Sequence, residues 1–498
     1  MEGMRTSLRA SFLAAASAAM ACSSAPSLEP SPATAAPIPI APAMPQASAS
    51  ASFSPLTNLV VSSGALVPPF DASVTDYEVS SLTRLEPVTI TPVGQDVTID
   101  GAPAAVGVPH ATAIAALDDA TVITVTAKDA LGAELAYRIH TAPAGRPTYT
   151  ATSSSPLPGL VALSPFRNAT FATDPGWLYL LDETGALVFY RRLEHPAFDF
   201  KRHALANGTA RWTYMTWNGQ PRLYGQNPST VHVLDEHMQE LRAFELLPSG
   251  GRGAGPADVH DVMLLGDDHW VALAYVPETV TNVPELGSAN VVGCVVQEVK
   301  NDAVVFDWDT TSFPELYADS SDGDAFANTA VYSDYAHLNS VDVDPSNGNF
   351  VLSFRHLDEV IEVDRGTGAI VWKLGGKGDQ FGLAAGDKTS HQHDARFIAP
   401  GRVLLFDNGN ATLTTRVREY QIDPVAHTAS VLAAERVDAH YTMAMGSAQK
   451  LSGRYFIGWG LRRTGEADVT ELDPQSMQKS FELSLSGDWI SYRARKLQ

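Results

Sequence analysis

Two kinds of short segment alternate from about Pro147 to the end of this chain, and the alternation restricts the fold more than any other feature. One kind is a single strand after a glycine-type turn: PGLVALSP, NGTARWTYMTW, GDDHWVALAYV, NGNFVLSFRH, PGRVLLFDNG and SGRYFIGWG. The other is a strand–turn–strand hairpin: WLYLLDETGALVFYRR, STVHVLDEHMQELRAFEL, CVVQEVKNDAVVFDWD, DEVIEVDRGTGAIVWKL, RVREYQIDPVAHTASVLA and DVTELDPQSMQKSFELSL. Each kind occurs six times, giving one four-stranded unit per roughly 50–65 residues, and repeats of that length predict a six-bladed β-propeller. A β-helix needs shorter repeats, and a sandwich does not repeat. A closed ring also removes exposed sheet edges, which suits an all-β chain.

The residues before the repeats fall into three textures. Arg5 and Arg9, the small apolar run SFLAAASAAMA and then Cys22 read as an export signal, too short and Ala-rich to span a membrane as a helix. A cysteine after small residues, followed by a low-complexity stretch, resembles the bacterial lipoprotein signal, in which Cys22 would be acylated; plain secretion with cleavage near Ala21 is the alternative. Residues 23–52 are Pro, Ala and Ser with almost no charge and predict a semi-extended tether. From 53 to 145, short Val-, Ile- and Thr-rich segments alternate at period two, which predicts an N-terminal β-sandwich. The string LVVSSGALVPPFDASVTDYEVS, the VTIDG turn and the final AYRIHT resemble a cadherin-like module of bacterial exported proteins. It would serve as spacer or docking module.

Charge and cysteine content exclude several functions. Formal net charge is 34 − 56 = −22, spread along the chain, which disfavours nucleic acid and anionic lipid surfaces as partners. Any anionic substrate must then be held by local positive groups. With only Cys22 and Cys294, neither a disulfide framework nor a cysteine zinc cluster can form. Cys294 lies in the apolar run NVVGCVVQEV and reads as packing.

In a propeller the loops entering the innermost strands meet around one mouth of the central channel. Aligned on their glycine turns, His260 opens the third unit, His337 the fourth, His393 the fifth and His440 the sixth. A single histidine is most often a packed or solvated residue; four at one repeat position form a ring facing one cavity. Arg355 closes the strand that His337 begins, and its planar fork suits a tetrahedral oxyanion. By strand alternation the next residue, His356, is expected on the opposite face in a structural role. Residues 342–349 (DVDPSNGN) and 319–324 (DSSDGD) have a calcium-loop flavour without the full spacing, and 374–379 (LGGKGD) lacks phosphate-loop spacing. No metal is assigned.

The segments HLNSVDVDPSNGNFVLSFRH, WKLGG, QHDARF, LFDNGN with TRVREYQID, and GSAQKLSGRYFIGWG resemble the bacterial arylsulfate sulfotransferases, which are six-bladed propellers. The resemblance spans roughly 150–495. It implies transfer of a sulfuryl group from an aryl sulfate to a phenol, by a ping-pong route and with no nucleotide cofactor. Carried over residue by residue, it makes His393 the nucleophile that becomes sulfated. His260, His337, Asn339 and Arg355 would bind sulfate oxygens and handle protons, with Thr442 and His440 as further substrate-binding residues. Some family members carry a disulfide near the site, which this chain cannot form. The implied partners are small aryl sulfates and phenols, and the implied location is periplasm or cell surface, with a lipid anchor to the membrane. A sulfate-ester hydrolase on the same scaffold and a non-catalytic ligand-binding propeller are the alternatives, and a homodimer is left open.

Overall fold

The computed structural model describes residues 55–112, 114, 117, 121–129, 131–167, 169–171, 173–219, 227–435 and 441–498. Cys22, the tether and His440 lie outside them. Phe53–Gln498 forms one compact unit. Among the described residues nearly all the regular structure is β-strand, as the period-two patterning predicts, and the helical pieces there are the short turns Thr310–Ser312 and Glu315–Asp319.

The N-terminal part pairs its strands into a three-stranded and a six-stranded sheet. Alternate residues such as Leu56, Leu59, Val61, Tyr77, Val79, Ile123, Val125, Tyr137 and Ile139 point into one core. That core is continuous with Val161, Trp177 and Tyr179 of the next sheet, and Ser81–Thr83 adds a strand to that sheet's edge by pairing with Leu187–Leu193. The Tyr190 hydroxyl fixes the junction by donating to the Thr141 carbonyl at 2.7 Å.

Six successive antiparallel sheets follow, each with four strands of its own, and they form a β-propeller. The innermost strands are β1 (Ala197–Ala204), β2 (Val262–Gly266), β3 (Leu338–Val343), β4 (His393–Ala399), β5 (Ser447–Leu451) and β6 (Trp489–Leu497). β6 ends the chain, yet it pairs with Leu160–Arg167 of the first sheet. Tyr149–Ser153, which precedes that sheet, pairs instead with Lys479–Leu485 of the last one. The two exchanges tie the ends of the repeat region together, so separating the first and last sheets would break ladder hydrogen bonds.

A network of ion pairs crosses the channel just below the starts of the inner strands. Asp199 and Lys201 come from β1, Asp261 immediately precedes β2, Asp394 and Arg396 come from β4, and Arg493 and Arg495 from β6. Arg493 donates to Asp199 at 2.9 Å and to the Asn339 carbonyl at 2.6 Å. Arg396 bridges Asp394 at 2.9 Å and Asp261 at 2.7 Å, and Arg495 holds Asp394 with two N–H groups. Lys201 pairs with both Asp199 and Asp261. Burial alone would raise the Asp261 carboxyl, but Arg396, Lys201 and Arg493 together hold it well below the ordinary range. Four cations thus meet three carboxylates in a buried, low-dielectric layer, which divides the channel into two ends. One end carries the histidines. The other opens into a cavity of about 260 Å³ lined by Lys201, His203, Asp342, Arg396, Gln449 and Arg495 among others.

Candidate active site

Each candidate histidine owes its position to the first residue or two of an inner strand. His260 lies two residues before β2, His337 one residue before β3, and His393 begins β4. His337 sits at φ +55 and Asp394 at φ +58, a region that costs energy for residues with a Cβ and that clusters at functional sites. Arg355 follows Phe350–Phe354, the strand paired with β3, and its backbone N–H donates to the His337 carbonyl at 2.9 Å. The rings of His260 and His337 meet edge to face at 5.0 Å, and Tyr275 stacks on His260 at 5.3 Å. The fields of Arg355, His260 and His337 all reach His393. These four residues, far apart in sequence, therefore share one mouth.

The hydrogen bonds of His393 determine which ring nitrogen is free. Asn408 donates from Nδ2 to the carbonyls of Thr442 and Met445, both at 3.0 Å, so its Oδ1 must face the imidazole. That oxygen accepts from His393 Nδ1 at 2.7 Å. Nδ1 therefore carries the proton and Nε2 keeps its lone pair, which receives the Met445 backbone N–H at a long 3.3 Å. Burial, with Arg355 next in weight, keeps the imidazole pKa well below its ordinary value. A buried, neutral ring with a fixed tautomer is a nucleophile. Gly446, next to Met445, lies at φ +104 with its missing Cβ directed at the Phe406 ring, so a glycine is needed for this loop to close against His393.

His260 and His337 have a different kind of partner. Nδ1 of His260 bonds Asp258, and Nδ1 of His337 bonds Asp334 at 2.6 Å. A carboxylate partner stabilises the protonated ring where an amide does not, so these two pairs suit proton handling. Asp334 is buried, which raises its own pKa, and burial also keeps His337 well below the usual imidazole range.

Asn339 is fully buried, and its amide grips the backbone on both sides of His393. Nδ2 donates to the Gln392 carbonyl at 2.8 Å, and Oδ1 accepts from the Asp394 N–H at 3.3 Å. Thr442 is also buried; its carbonyl serves Asn408, and its N–H donates to Thr415 Oγ1 at 2.9 Å.

His356 departs from expectation. Strand alternation was to carry it to the opposite face, but the strand ends at Phe354, and Arg355 and His356 lie in the turn beyond it. There the ring lies 4.5 Å from His337 and its Nε2 is 2.5 Å from Arg355 Nη1. Sequence reasoning also passed over Asp258, Asp334, Asn408 and His391, whose ring lies 5.9 Å from that of His356. A usable signal was present for two of them, an aspartate two or three residues before a site histidine (DVH at 258–260, DYAH at 334–337).

Asp334, His337 and His356 bring ligand-type atoms within 4.8 Å of one another, as a metal triad would. Their hydrogen bonds do not fit a metal. Arg355 can only donate, so His356 Nε2 must be the acceptor; the proton then sits on Nδ1, which donates to the Asp334 carbonyl and has no lone pair for a cation. Of the two Asp-rich loops, Asp344 accepts from Ser346 N while Asn347 and Asn349 donate to Glu362, a self-contained turn. Asp319 pairs with Lys373 at 2.6 Å, and Asp322 faces Arg355. Cys294 is fully buried beneath Leu338.

An all-β channel with buried histidines, carboxylate-paired and amide-paired, beside an arginine fork defines a candidate group-transfer propeller. Residues 166–493 match the family described as Arylsulfotransferase (ASST), and the chain belongs to that family. At family level this supports sulfuryl transfer from aryl sulfates, with small aryl sulfates and phenols as substrates. No curated protein matches the chain. Solved structures with a similar course include a protein of unknown function from Bacteroides caccae (11% identity, 69% of this chain and 100% of that one, TM-score 0.37). The β-propeller domain of Myceliophteria thermophila Cps50 (8%, 64% and 85%, 0.35) and Citrobacter koseri AztD (12%, 69% and 99%, 0.29) are others. Likenesses this distant carry no argument about function.

Proposed function

We propose that this protein transfers a sulfuryl group from an aryl sulfate to a phenol by a ping-pong route through His393. The observation that carries the reading is the His393 tautomer: Asn408 holds the proton on Nδ1 and leaves Nε2 nucleophilic in a buried pocket. In the first half-reaction the Nε2 lone pair attacks sulfur and the S–O(aryl) bond breaks. The electron pair stays on the phenolate oxygen, which takes a proton from the carboxylate-paired His260 or His337. Sulfated His393 keeps its Nδ1–H on Asn408, so the cationic ring offsets the charge of the group it holds. In the second half-reaction the acceptor phenol returns a proton to the same histidine, its oxygen attacks sulfur, and the S–N bond breaks. No net proton is consumed.

Arg355 supplies fixed positive charge to the sulfuryl oxygens, against the formal −22 of the chain. Asn339, by clamping both flanks of His393, keeps the nucleophile in line. The aromatic cluster of Phe166, Phe171, Phe198, Trp217 and Tyr492, with Met445 at its edge, adjoins His260 and offers an apolar wall for the aryl ring. The six propeller sheets act as six blades, and export with acylation of Cys22 belongs to the same reading; a Cys22→Ser chain that still incorporates labelled fatty acid would remove the anchor.

A chromogenic aryl sulfate with and without added phenol, followed by intact-mass analysis of donor-treated protein, tests the proposal. Phenol-dependent turnover and one sulfuryl mass on wild-type protein are expected, both lost in His393→Ala with melting temperature retained. Turnover independent of phenol would identify a hydrolase, and His393→Ala activity within about tenfold of wild type would move the nucleophile elsewhere.

A further inference from the structure

The arginine fork of this site is aimed by a histidine with no assigned part in the chemistry. We propose that His356 is a positioning residue that sets the orientation of Arg355 toward the transferring group. The inference rests on the reading of Arg355 as the sulfuryl clamp.

The geometry runs through one loop residue, Asp334. Its carboxylate orients His337, and its backbone carbonyl accepts Nδ1–H of His356. With the proton held on Nδ1, Nε2 of His356 presents a lone pair to Arg355 Nη1 at 2.5 Å. The other contacts of the guanidinium are poorer: Nη2 reaches the Met443 carbonyl at 3.4 Å, and the half-exposed Asp322 carboxylate stands 3.6 Å from Nη1. The buried neutral imidazole is therefore the short contact that holds the fork. It uses one N–H of Arg355 and places no charge beside it, so the cation remains available to an anionic ligand. A carboxylate at that short distance would neutralise more of the charge than the half-exposed Asp322 does at 3.6 Å. The groups facing His356 are Asp334, His337, Arg355, Asp322 and His391. Protonated His356 would set an N–H against the guanidinium and abolish the contact. Asp334 thus orients a proton-handling histidine with its side chain and the anion clamp, at one remove, with its backbone.

A double-mutant cycle separates this role from simple support of the fold. His356→Leu should lower kcat/KM for sulfuryl transfer about 10- to 100-fold, the usual loss when a residue that orients a functional group is removed. His356→Gln, which can both accept and donate, should recover most of it. In an Arg355→Ala background neither substitution should change the residual rate, because its target is gone. Should the Leu chain not fold, His356→Asn, polar but too short to reach Arg355, takes its place with the same expectation. Equal losses with and without Arg355, or a Leu or Asn variant as active as wild type, would overturn the proposal. A wild-type protein with no donor-dependent turnover, or an active His393→Ala, strikes the sulfotransfer reading itself; an active wild type with an additive cycle strikes only the role of His356.

Discussion

The neutrality of His356 has a measurable cost in acid. Burial pushes its pKa down to about 4 from an ordinary 6.5, with the nearby Asp334 opposing the shift and His337 and Arg355 adding to it. A histidine whose folded pKa is depressed leaves the unfolded chain to bind protons first. Stability is therefore lost as pH falls below about 6.5, and the loss levels off near pH 4, where the folded form also protonates. The interval of about 2.5 units at about 1.4 kcal/mol per unit gives an upper value of about 3.5 kcal/mol, and about 2 kcal/mol of it falls between pH 7 and 5. The side chain is only 10% exposed, so solvent screening takes little from this figure. Other groups titrate in the same range, among them Glu359, raised to about 8, and Asp468, raised to about 6, and they contribute slopes of opposite sign. The difference between wild type and His356→Gln removes them, since they are common to both. Urea unfolding of the two proteins at pH 7, 6 and 5, followed by tryptophan fluorescence, should show the wild-type advantage shrinking by about 2 kcal/mol. A difference constant to within about 0.5 kcal/mol across that window would mean that His356 titrates normally, and the tautomer argument built on Arg355 would fail with it.

Three further outcomes follow from other contacts. Arg355→Lys keeps the charge but loses the fork, and should slow transfer by about 2–4 kcal/mol of activation energy with every aryl donor, while unfolding curves stay unchanged; losses that vary with the donor ring would make it a scaffold residue. Asp261→Asn leaves Lys201, Arg396 and Arg493 one counter-charge short in a layer where Asp261 is fully buried, and should cost about 3–5 kcal/mol in urea unfolding. Asn408→Leu strands the Thr442 and Met445 carbonyls and frees the His393 tautomer, so stability should fall by about 1–3 kcal/mol and the sulfuryl adduct should disappear from intact-mass spectra.

What could be read from the sequence was whatever repeats or stays local. Period-two alternation and glycine turns belong to single strands and hairpins, and the hairpin at Glu359–Val363 and Ile370–Gly375 pairs as its DRGTG turn implies. The convergence of His260, His337 and His393 followed from a shared position at the start of an inner strand. Pairing between the two ends of the repeat region was not legible, because Leu160–Arg167 meets β6 across some three hundred residues with no local signal. His356 was misplaced for a simple physical reason: alternation holds only while the strand lasts, and this one stops two residues earlier. The tautomer of His393 was also out of reach. FDNG is visible as a motif, but only the carbonyls of Thr442 and Met445, brought up by a different loop, decide which end of the Asn408 amide faces the ring.

Two histidines of the site are each followed directly by an aspartate, His260–Asp261 and His393–Asp394, and the pairs divide their labour by direction. The histidines belong to the mouth, His260 against Tyr275 and Tyr492 and His393 against Asn408. The aspartates belong to the ion-pair layer, where Asp261 and Asp394 share Arg396 and so tie the lead-in of β2 to β4. Local backbone sends the neighbours to different surroundings: His260 lies in a turn just before β2, and at Asp394 the left-handed backbone and the adjoining bulge re-aim the chain. The positions of His260 and His393 are thus set by a charge network one residue away. A substitution in that layer should disturb transfer even where it touches no substrate, because the strands that carry the rings are located by it. Burial supplies the rest. The same low dielectric that makes the ion pairs rigid keeps the nucleophile His393 uncharged, so one exclusion of water serves both the framework and the chemistry.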